Sequence, residues 1–494
     1  MPVDTPREDD HNEPPMFGFP TGLVLGKSGP WSIFPSVTLS ESQRVGHVYV
    51  VGKTGKGKSK LLQHCLYQDI VQGRGCGVID PHGDLIRDLL GQLHRRGALD
   101  PQLEKRIVYL DPAQHQSVVP FNVLAASGHP YETAQNVIEA LRRTWPRSLT
   151  EAPHFSNLML HSLLLLIQVS LPLTALPKLL TDKAYRERLL HKADERDLTA
   201  FFHGRFDAWG KSGQAAIMRE SSLNKITALT LNPHLRRMLG QAENHLNFRT
   251  LMDEGRVLLV DLGSCDEESR RLMGSLITTG IEQAVMTRQA MPVDKRRPFY
   301  LYVDEFQDFS SQDGSVKSLA RILVSARKFG LVLTLAHQYL GQLSRTMQDA
   351  ILGNVWTKIV FGVSEADAQL LAQWMSLGNI DPQQVKHEAP MGAPHPLYTP
   401  LLEQWNAWAA FLANQRPRQA VVRDPRGHSK QLWTVALKDP PVDEATLAQI
   451  KSRLLRHSGA ALSHRHDPID PILDDQEADW DWPEYDGTRK NQAA

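Results

Sequence analysis

The sequence predicts an α/β fold with a mostly parallel sheet and an all-helical insertion. Short apolar runs of strand length recur along the chain, and segments with helical periodicity lie between several of them. This alternation indicates a sheet that is covered by helices on both faces. The interval 130–253 has helical periodicity and almost no strand signal. With 494 residues, the chain is long enough to bury a large core in more than one domain.

Seven apolar runs are the candidate parallel strands. They are His47–Gly52, Cys76–Asp80, Arg106–Asp111, Arg256–Leu262, Phe299–Glu305, Leu331–His337 and Thr357–Val363. Leu85–Arg96 and Glu267–Arg288 lie between them and have the apolar spacing of helices. The most apolar stretch, Leu158–Leu173, is interrupted by polar residues and is shorter than the roughly 20 residues that a membrane-spanning helix needs. We therefore expect a buried helix there and no integral membrane segment.

One motif of eight residues predicts a nucleotide site. Gly52-Lys53-Thr54-Gly55-Lys56-Gly57-Lys58-Ser59 matches the phosphate-binding pattern G-x-x-x-x-G-K-[ST] without a mismatch, between a candidate strand and the helix-like Leu61–Val71. Glycines allow several backbone N–H groups to surround the phosphates, and the next helix adds the positive end of its dipole. The predicted nucleotide-binding residues are Gly52, Lys53, Thr54, Gly55, Lys56, Gly57, Lys58, Ser59 and Lys60.

Lys58 and Ser59 have separate predicted roles in this phosphate loop. The ammonium group of Lys58 would reach the β- and γ-phosphates of the nucleotide. The hydroxyl of Ser59 would take one place on Mg²⁺, an ion that prefers a few oxygen ligands together with substrate phosphates. The predicted cofactors are therefore ATP and Mg²⁺.

Two carboxylates at the end of Phe299–Glu305 complete the predicted hydrolytic site. A buried parallel strand delivers the residues that follow it to the carboxyl edge of the sheet, where ligands bind in open α/β folds. Asp304 would support the Mg²⁺ shell, and Glu305 would polarise the attacking water. Acidic residues after a strand are also common helix caps, so this prediction depends on the phosphate loop.

Two polar side chains flank the run Leu331–His337. The amide of Gln338, directly after it, can donate to the γ-phosphate and accept from the attacking water, although a simple turn residue is the alternative. The guanidinium of Arg327, just before it, could enter the nucleotide site of a neighbouring subunit. Its alternative role is to satisfy the last carbonyls of a helix, and Arg321 is the second choice for the finger.

Two further groups have both a functional and a structural interpretation. Asp80-Pro81-His82-Gly83-Asp84 would emerge at the same sheet edge and could face phosphate or metal, or it could form a tight turn with Asp84 as a helix cap. In the interval 130–253, four cations are candidates for DNA-backbone contacts, but a solvated charged face is favoured. They are Lys225, Arg236, Arg237 and Arg249.

The charge along the chain is uneven, although the formal net charge is zero. Residues 1–16 and 465–494 are acidic, and without them the chain has an excess of about ten basic residues, which would favour a polyanion if they are clustered. The three cysteines have no metal-ligand spacing and are too few for a disulfide framework. This composition and the lack of a signal peptide predict a cytoplasmic protein.

These patterns predict six segments. They are a disordered N-terminus in 1–16, a small β lead-in in 17–46, the P-loop ATPase core in 47–129 and 254–400, an all-helical insertion in 130–253, a C-terminal helix and hairpin extension in 401–464, and an acidic disordered tail in 465–494. The tail contains Trp480, Trp482 and Tyr485 among its acidic residues. It is either a partner-binding element or a solubilising tail.

Taken together and in this order, the motifs resemble those of the HerA–FtsK superfamily of ring-forming DNA-pumping ATPases, and most closely those of type IV secretion coupling proteins. The resemblance covers about residues 22–375. It is carried by His47–Gly52 with the phosphate loop, Val78–Leu85, Val108–Pro112, Phe121-Asn122, Leu301–Gln307, Ser325–Lys328, Leu335–Gln338 and Gly353-Asn354.

The resemblance implies a RecA-like P-loop ATPase core and a hexameric ring that uses ATP to move DNA through a central pore. It also implies that Gln338 senses the γ-phosphate and that Arg327 acts across subunits as a finger. In coupling proteins the helical insertion is linked to substrate selection, which transfers here only as an analogy between domains.

We therefore expect an ATPase that couples hydrolysis of Mg-ATP to DNA translocation, with Lys58, Ser59, Asp304, Glu305, Gln338 and Arg327 as its working residues. A relaxase, a nuclease or a secretion channel is the expected protein partner, and such a partner could recruit it to the inner face of the membrane. Two alternatives stay open. One is a secretion-type ATPase that acts on protein substrates. The other is a nucleotide-gated scaffold of a DNA-transfer or defence complex.

Overall fold

A single large sheet organises the fold and carries the predicted site at one of its edges. In the computed structural model, the described residues are 22–31, 33–113, 117–125, 128–145, 153–207, 223, 232–309, 323, 326–376, 381, 384, 398–437, 442–458 and 460–461. The predicted disordered ends, residues 1–16 and 465–494, lie outside these ranges, as do the candidates Arg321 and Lys225.

Eleven of the described strands form this sheet, in the order β2-β1-β12-β11-β10-β3-β9-β8-β4-β7-β5. The strands are β1 Leu23–Lys27, β2 Ser36–Leu39, β3 Val48–Val51, β4 Gly75–Asp80, β5 Ile107–Leu110, β6 Ser117–Val118, β7 Val257–Asp261, β8 Phe299–Val303, β9 Leu331–His337, β10 Thr357–Phe361, β11 Gln419–Arg423, β12 Ser429–Thr434 and β13 Ala460–Ala461. The short strands β6 and β13 pair with each other in a second sheet.

The seven predicted strands form the parallel part of the sheet, from β10 to β5. All residues of these strands are buried, because helices cover both faces of the sheet. This burial explains why they appear in the sequence as continuous apolar runs instead of alternating ones. The predicted fold class, a mostly parallel α/β sheet of the RecA-like type, is confirmed.

The described α-helices lie between these strands and in the insertion. They are α1 Glu41–Arg44, α2 Lys58–Val71, α3 Asp84–Arg95, α4 Pro101–Arg106, α5 Pro130–Thr144, α6 Pro153–Gln168, α7 Leu176–Thr181, α8 Lys183–Ala193, α9 Arg196–Ala200, α10 Pro233–Leu239, α11 Phe248–Glu254, α12 Glu267–Thr287, α13 Arg345–Asn354, α14 Glu365–Ser376, α15 Leu401–Ala413 and α16 Glu444–Ser458.

The described elements within 130–253 are helical, and they include a π-helical turn at Phe201–Phe206. The apolar stretch Leu158–Leu173 is helical only as far as Gln168, where α6 ends, and its last residue begins a 3-10 turn. Within α6, Leu158 is 2% exposed and Leu163 is fully buried. No helix in the described ranges combines the length and the apolar character that crossing a bilayer requires.

The lead-in and the C-terminal hairpin extend the core sheet on the side of β10. The pair β11 and β12 adds antiparallel strands next to β10, and β1 pairs with β12 through Gly26 and Thr434. A Cβ atom at Gly26 would lie 2.0 Å from the carbonyl oxygen of Trp433, so this close pairing requires glycine. The division of the chain into the six segments remains a prediction.

A buried ion pair joins α1 to α2, the helix that follows the phosphate loop, and a tyrosine hydroxyl connects this pair to β8. Arg44, which is 1% exposed, donates to both carboxylate oxygens of Asp69 in α2, at 2.8 and 2.6 Å. The hydroxyl of Tyr302 in β8 donates to the same carboxylate at 2.7 Å. The Arg44 guanidinium also lies 3.7 Å from the centre of the Tyr300 ring. These contacts fix α2 relative to the strand that leads to Asp304.

Replacing Asp69 by Asn should lower the free energy of unfolding by about 3–5 kcal/mol, because Arg44 would remain buried without a carboxylate. Urea denaturation of the purified protein measures this change. Asp84→Asn is the control, since it removes an ion pair with Arg87 in which both side chains are more than half exposed. The control should lose less than about 1 kcal/mol. Equal losses in the two variants would contradict a structural role for the buried pair.

Candidate nucleotide site

Two residues of the phosphate loop have a backbone conformation that favours glycine. Gly55 has φ of 76° and Gly57 has φ of 109°, both in the left-handed region. Nothing lies within 4 Å of a Cβ atom built on Gly55, so the loop is open at this point. Residues 53–55 are exposed, which leaves the amide-lined side of the loop accessible to a ligand.

Contacts with the end of β10 and with the segment before β11 fix the loop. The backbone N–H of Lys53 donates to the carbonyl of Gly362 at 2.8 Å. The ammonium of Lys56 donates to the carbonyl of Gln415 at 2.7 Å, and the N–H of Arg418 donates to the carbonyl of Lys56 at 2.9 Å. Sequence analysis assigned no role to Gln415 or Arg418, because their approach to the loop depends on long-range strand pairing.

Lys58 lies between carbonyl groups of the loop and the two predicted carboxylates. Its side chain is buried, and its ammonium donates to the carbonyl of Gly52 at 2.7 Å. Burial lowers the pKa of Lys58, while the negative charges of Glu305 and Asp304 oppose this shift. A buried cation in an amide-lined loop fits the phosphates of a nucleotide.

The side chain of Lys60 does not point toward the amide-lined phosphate loop. Its ammonium forms an ion pair with Asp88 of α3 at 2.7 Å. A nucleotide contact from Lys60 would therefore have to come from its backbone. The motif alone does not distinguish a backbone contact from a side-chain contact.

A hydrogen bond connects the phosphate loop to the end of β8. The hydroxyl of Ser59 donates to Oδ2 of Asp304 at 3.2 Å, across 245 positions of sequence. Asp304 and Glu305 are 5% and 7% exposed. These oxygens are the kind of ligand that Mg²⁺ prefers, and Mg²⁺ commonly uses only one or two carboxylates plus phosphates. No cluster of three or more histidine, cysteine or acidic side chains that could hold a metal ion occurs in the described part of the chain.

Glu305 has a left-handed backbone conformation, with φ of 45°. Consecutive residues of a strand point to opposite faces of the sheet. The turn at Glu305 ends that alternation, and both carboxylates then act on the pKa of Lys58. Non-glycine residues rarely adopt this conformation and commonly do so at functional sites, where the surrounding structure holds them in place.

Burial and the neighbouring charges at this edge shift the pKa of Asp304. Its pKa is raised from 3.8 to about 6, mainly by burial and then by the negative charges of Glu305 and Asp80. Lys58 and the hydrogen bond from Ser59 oppose the shift. A carboxylate that is destabilised in this way has a stronger tendency to bind a cation.

Two amide side chains hold the carboxylate of Glu305. Gln338 donates to Oε1 at 3.1 Å, and Gln307 donates to Oε2 at 2.8 Å. Gln338 follows β9 at the same sheet edge as Glu305, as its position after Leu331–His337 predicts. Gln307 was the last residue of the segment Leu301–Gln307 that carries the resemblance, but the sequence did not indicate its contact with Glu305.

Asp80 has a structural role at this edge. Its carboxylate accepts hydrogen bonds from the N–H groups of His82 at 3.1 Å and Ile86 at 2.9 Å, and so it holds the turn before α3. Asp84 was the predicted cap in the structural interpretation. That assignment is wrong, because Gly83 occupies the cap position and Asp84 is the first residue of α3, where it pairs with Arg87 on the surface.

Arg327 lies away from these residues in its own chain. It is exposed on a 3-10 turn, Ala326–Phe329, that precedes β9, whereas Gln338 follows β9. The seven residues of β9 separate the two by about 23 Å, at roughly 3.3 Å per residue. The Arg327 guanidinium lies 3.9 Å from the centre of the Trp356 ring. The chain therefore brings together Lys58, Ser59, Asp304, Glu305 and Gln338, but not Arg327.

The described cations of the insertion are not freely exposed. Arg236 and Arg237 are partly buried on α10. Arg249 forms an ion pair with Asp253 and donates to the Thr287 hydroxyl at 2.9 Å. The contacts of Arg249 favour the structural interpretation for that residue.

Asp304→Asn should stabilise the protein without nucleotide at pH 8. Because the folded-state pKa of about 6 lies above the ordinary 3.8, ionisation of Asp304 opposes folding above pH 6, and this cost disappears as the pH falls toward 4. The variant should gain up to about 3 kcal/mol in the free energy of unfolding at pH 8 and much less at pH 4.5, measured with urea.

Asp294→Asn is the control for this comparison, since Asp294 is an exposed carboxylate on the turn before β8. Its free energy of unfolding should stay within about 0.5 kcal/mol of the parent value, as is usual for surface substitutions. A loss of stability in Asp304→Asn at pH 8 would contradict the electrostatic account of the site.

Comparison with known proteins gives a family match and several structural matches. Residues 162–395 match the family described as the type IV secretion-system coupling protein DNA-binding domain. This range begins in α6 and contains Asp304, Glu305, Arg327 and Gln338, whereas the phosphate loop precedes it. A search of curated proteins finds no match.

Solved structures of coupling proteins share the fold. The unbound monoclinic form of the bacterial conjugative coupling protein TrwBdeltaN70 has a TM-score of 0.59 and 18% identity, and the match covers 87% of this chain and 92% of that one. The plasmid coupling protein TrwB in complex with ADP and Mg²⁺ has a TM-score of 0.56, 18% identity and the same coverage. VirB4 of Thermoanaerobacter pseudethanolicus has a TM-score of 0.54 and 14% identity, over 85% of this chain and 98% of that one.

The family match and the shared fold confirm the predicted resemblance of this chain to type IV secretion coupling proteins.

Proposed function

We propose that this chain is an ATPase that couples hydrolysis of Mg-ATP to the movement of DNA, and that it works as a hexameric ring of identical subunits. The observation that carries the proposal is the contact of the phosphate-loop serine with Asp304, next to a Glu305 that is held by Gln338. This arrangement gives one sheet edge a phosphate cradle, a metal ligand and a general base.

Each of these side chains has a distinct proposed role. Lys58 binds the β- and γ-phosphates, and Ser59 and Asp304 would hold Mg²⁺, which would supply neutralisation of phosphate charge. Glu305 orients and polarises the attacking water. Gln338 releases its hydrogen bond to Glu305 when its amide donates to the γ-phosphate, so it connects the state of the nucleotide to the base.

The proposed cofactors have support from a structural relative. The plasmid coupling protein TrwB has been solved with ADP and Mg²⁺. In the present chain, the buried Lys58 and the oxygen ligands of Ser59 and Asp304 fit the same two components.

The proposed DNA substrate has support from the family match, whose description names a DNA-binding domain. The excess of basic residues outside the acidic ends of the chain is compatible with a polyanionic substrate. A cytoplasmic location and a relaxase, nuclease or secretion channel as partner remain part of this proposal.

The position of Arg327 supports the proposed ring. This residue is exposed at the opposite edge of the sheet from Gln338, so it is too far away to act on the nucleotide of its own subunit. A finger in this position can stabilise the transferred phosphoryl group only in a neighbouring subunit.

Glu305→Gln should bind ATP and lower the hydrolysis rate by about 100-fold or more, because an amide cannot accept the proton of the attacking water. ATPase assays and equilibrium binding of a fluorescent ATP analogue measure the two effects separately. Glu365→Gln, which changes an exposed carboxylate at the start of α14, is the matched control and should keep the parent rate. A correctly folded Glu305→Gln variant with the parent rate would rule out Glu305 as the base.

DNA should stimulate the ATPase rate, and the affinity for DNA derived from that stimulation should fall by about 10³-fold or more between 50 and 200 mM salt, as several phosphate contacts require. The basal rate without DNA over the same salt range is the control. Hydrolysis that no single- or double-stranded DNA stimulates would favour an ATPase with protein substrates. Slow turnover together with partner capture through the acidic tail would favour a scaffold.

A further inference from the structure

The turn that carries Arg327 is held by hydrogen bonds from two arginines, which the proposed function does not explain. We define the finger turn as residues 326–330, which include the 3-10 turn and Gly330 before β9. Arg288, directly after α12, is fully buried behind it. Its guanidinium donates to the carbonyl of Phe329 at 2.9 Å, to the carbonyl of Arg297 at 2.9 Å and to Asp253 at 2.9 Å. Each of its three nitrogens has therefore an acceptor, and one of these acceptors belongs to the finger turn.

A second arginine contacts the same turn. Arg296 donates to the carbonyl of Lys328 at 2.6 Å and to the carbonyl of Met291 at 2.8 Å. Its guanidinium also lies 5.4 Å from the centre of the Phe329 ring. The residues on the C-terminal side of Arg327 are thus held at two successive carbonyls, those of Lys328 and Phe329.

Gly330 allows Arg288 to approach the turn closely. It has φ of 81°, and a Cβ atom at this position would lie 3.0 Å from Nη1 of Arg288. The N–H of Gly330 donates to the carbonyl of Arg327, and its own carbonyl accepts from the N–H of Phe299 at the start of β8. The backbone on the C-terminal side of Arg327 is therefore fixed to the sheet and to Arg288.

Stability alone does not explain an arginine at position 288. Burial lowers the pKa of Arg288 and so disfavours the charged form, although Asp253 opposes the shift. Buried ion pairs can often be replaced by apolar side chains without loss of stability. The planar guanidinium provides fixed directions for several hydrogen bonds at once, which an apolar residue or a lysine does not. Its advantage at this position is the orientation of the turn.

We infer that Arg288 is a positioning residue for Arg327, because it fixes the turn from which Arg327 reaches the nucleotide of the neighbouring subunit. The inference rests on the proposed function, since Arg327 needs such positioning only if it acts across subunits. Small displacements of a group that must contact a reacting phosphate lower the rate strongly, and a shift of about 1 Å can cost about 100-fold. The effect of Arg288 should therefore appear in the subunit that donates the finger.

Mixed rings separate the donating and the accepting subunit. Lys58→Ala subunits keep the finger but do not hydrolyse ATP, whereas Arg327→Ala subunits bind ATP but lack the finger. Each variant alone should have little activity, and their mixture should recover activity where a Lys58→Ala subunit donates Arg327 to an Arg327→Ala neighbour. Arg288→Met is then added to the donor in one mixture and to the acceptor in another. Mass in solution confirms that each mixture assembles to the same extent.

We expect Arg288→Met in the donor to lower the recovered ATPase rate by about tenfold or more. In the acceptor it should leave the recovered rate within about twofold. Arg288→Lys in the donor keeps the charge but loses the planar geometry, and it should give an intermediate rate. Circular dichroism and urea denaturation establish that each variant folds.

The outcomes distinguish this inference from the proposed function. If the unaltered donor and acceptor do not recover activity when mixed, the finger does not act across subunits and the proposed mechanism is wrong. If they recover and Arg288→Met is without effect in the donor, or lowers the rate equally in both positions, Arg288 does not position the finger. If Arg288→Met does not fold, Arg296→Ala is tested instead, once in the donor and once in the acceptor, because Arg296 is only half-buried and contacts the same turn. A loss of the recovered rate only in the donor supports positioning of the finger, and equal or absent losses contradict it.

Discussion

The contact between Ser59 and Asp304 connects the two parts of the chain on which the site depends. One part contributes the phosphate loop between β3 and α2, and the other contributes the carboxylates after β8. β9 lies between β3 and β8 in the sheet and brings Gln338 to the same edge. Because all three strands are parallel and buried, their carboxyl ends are held side by side by backbone hydrogen bonds. The geometry of the site is therefore a consequence of strand order.

The charges of the site are arranged for binding and not for stability. Burial lowers the pKa of Lys58 and raises that of Asp304, so folding disfavours the charged form of both groups. Glu305 adds a left-handed backbone conformation. Favourable packing elsewhere in the core must compensate for these costs. The Arg44–Asp69 pair, which also binds Tyr302 of β8, holds α2 against the strand that leads to Asp304 and Glu305. Phosphates would neutralise the charge of Lys58, and a divalent cation would neutralise that of Asp304. The charges that are costly in the free protein would therefore favour binding of the nucleotide and the metal.

The sequence predicted the parallel strands and the residues at their ends because both follow from local patterns. A strand that is buried on both faces must be apolar throughout, and β9 agrees with its predicted range at both ends. The pairing of Gly26 with Thr434 had no local signal, since it depends on how distant segments meet. Gln307 and Arg288 were also missed as contacts. A glutamine in a loop and an arginine at the end of a helix have many possible partners. Hydrophobic periodicity indicates which residues are buried, but it does not identify the partners of polar side chains.

In the proposed mechanism, Ser59 and Asp304 hold one Mg²⁺ together at the bound nucleotide. Binding of Mn²⁺ in the presence of ADP, followed by the electron paramagnetic resonance signal of the free ion, tests this claim in a double-mutant cycle. We expect Ser59→Ala and Asp304→Asn each to weaken Mn²⁺ binding while ADP still binds, and the double variant to lose much less than the sum of the two effects. Strictly additive losses, or Mn²⁺ binding unchanged in Asp304→Asn, would contradict a shared ion and with it the proposed motor.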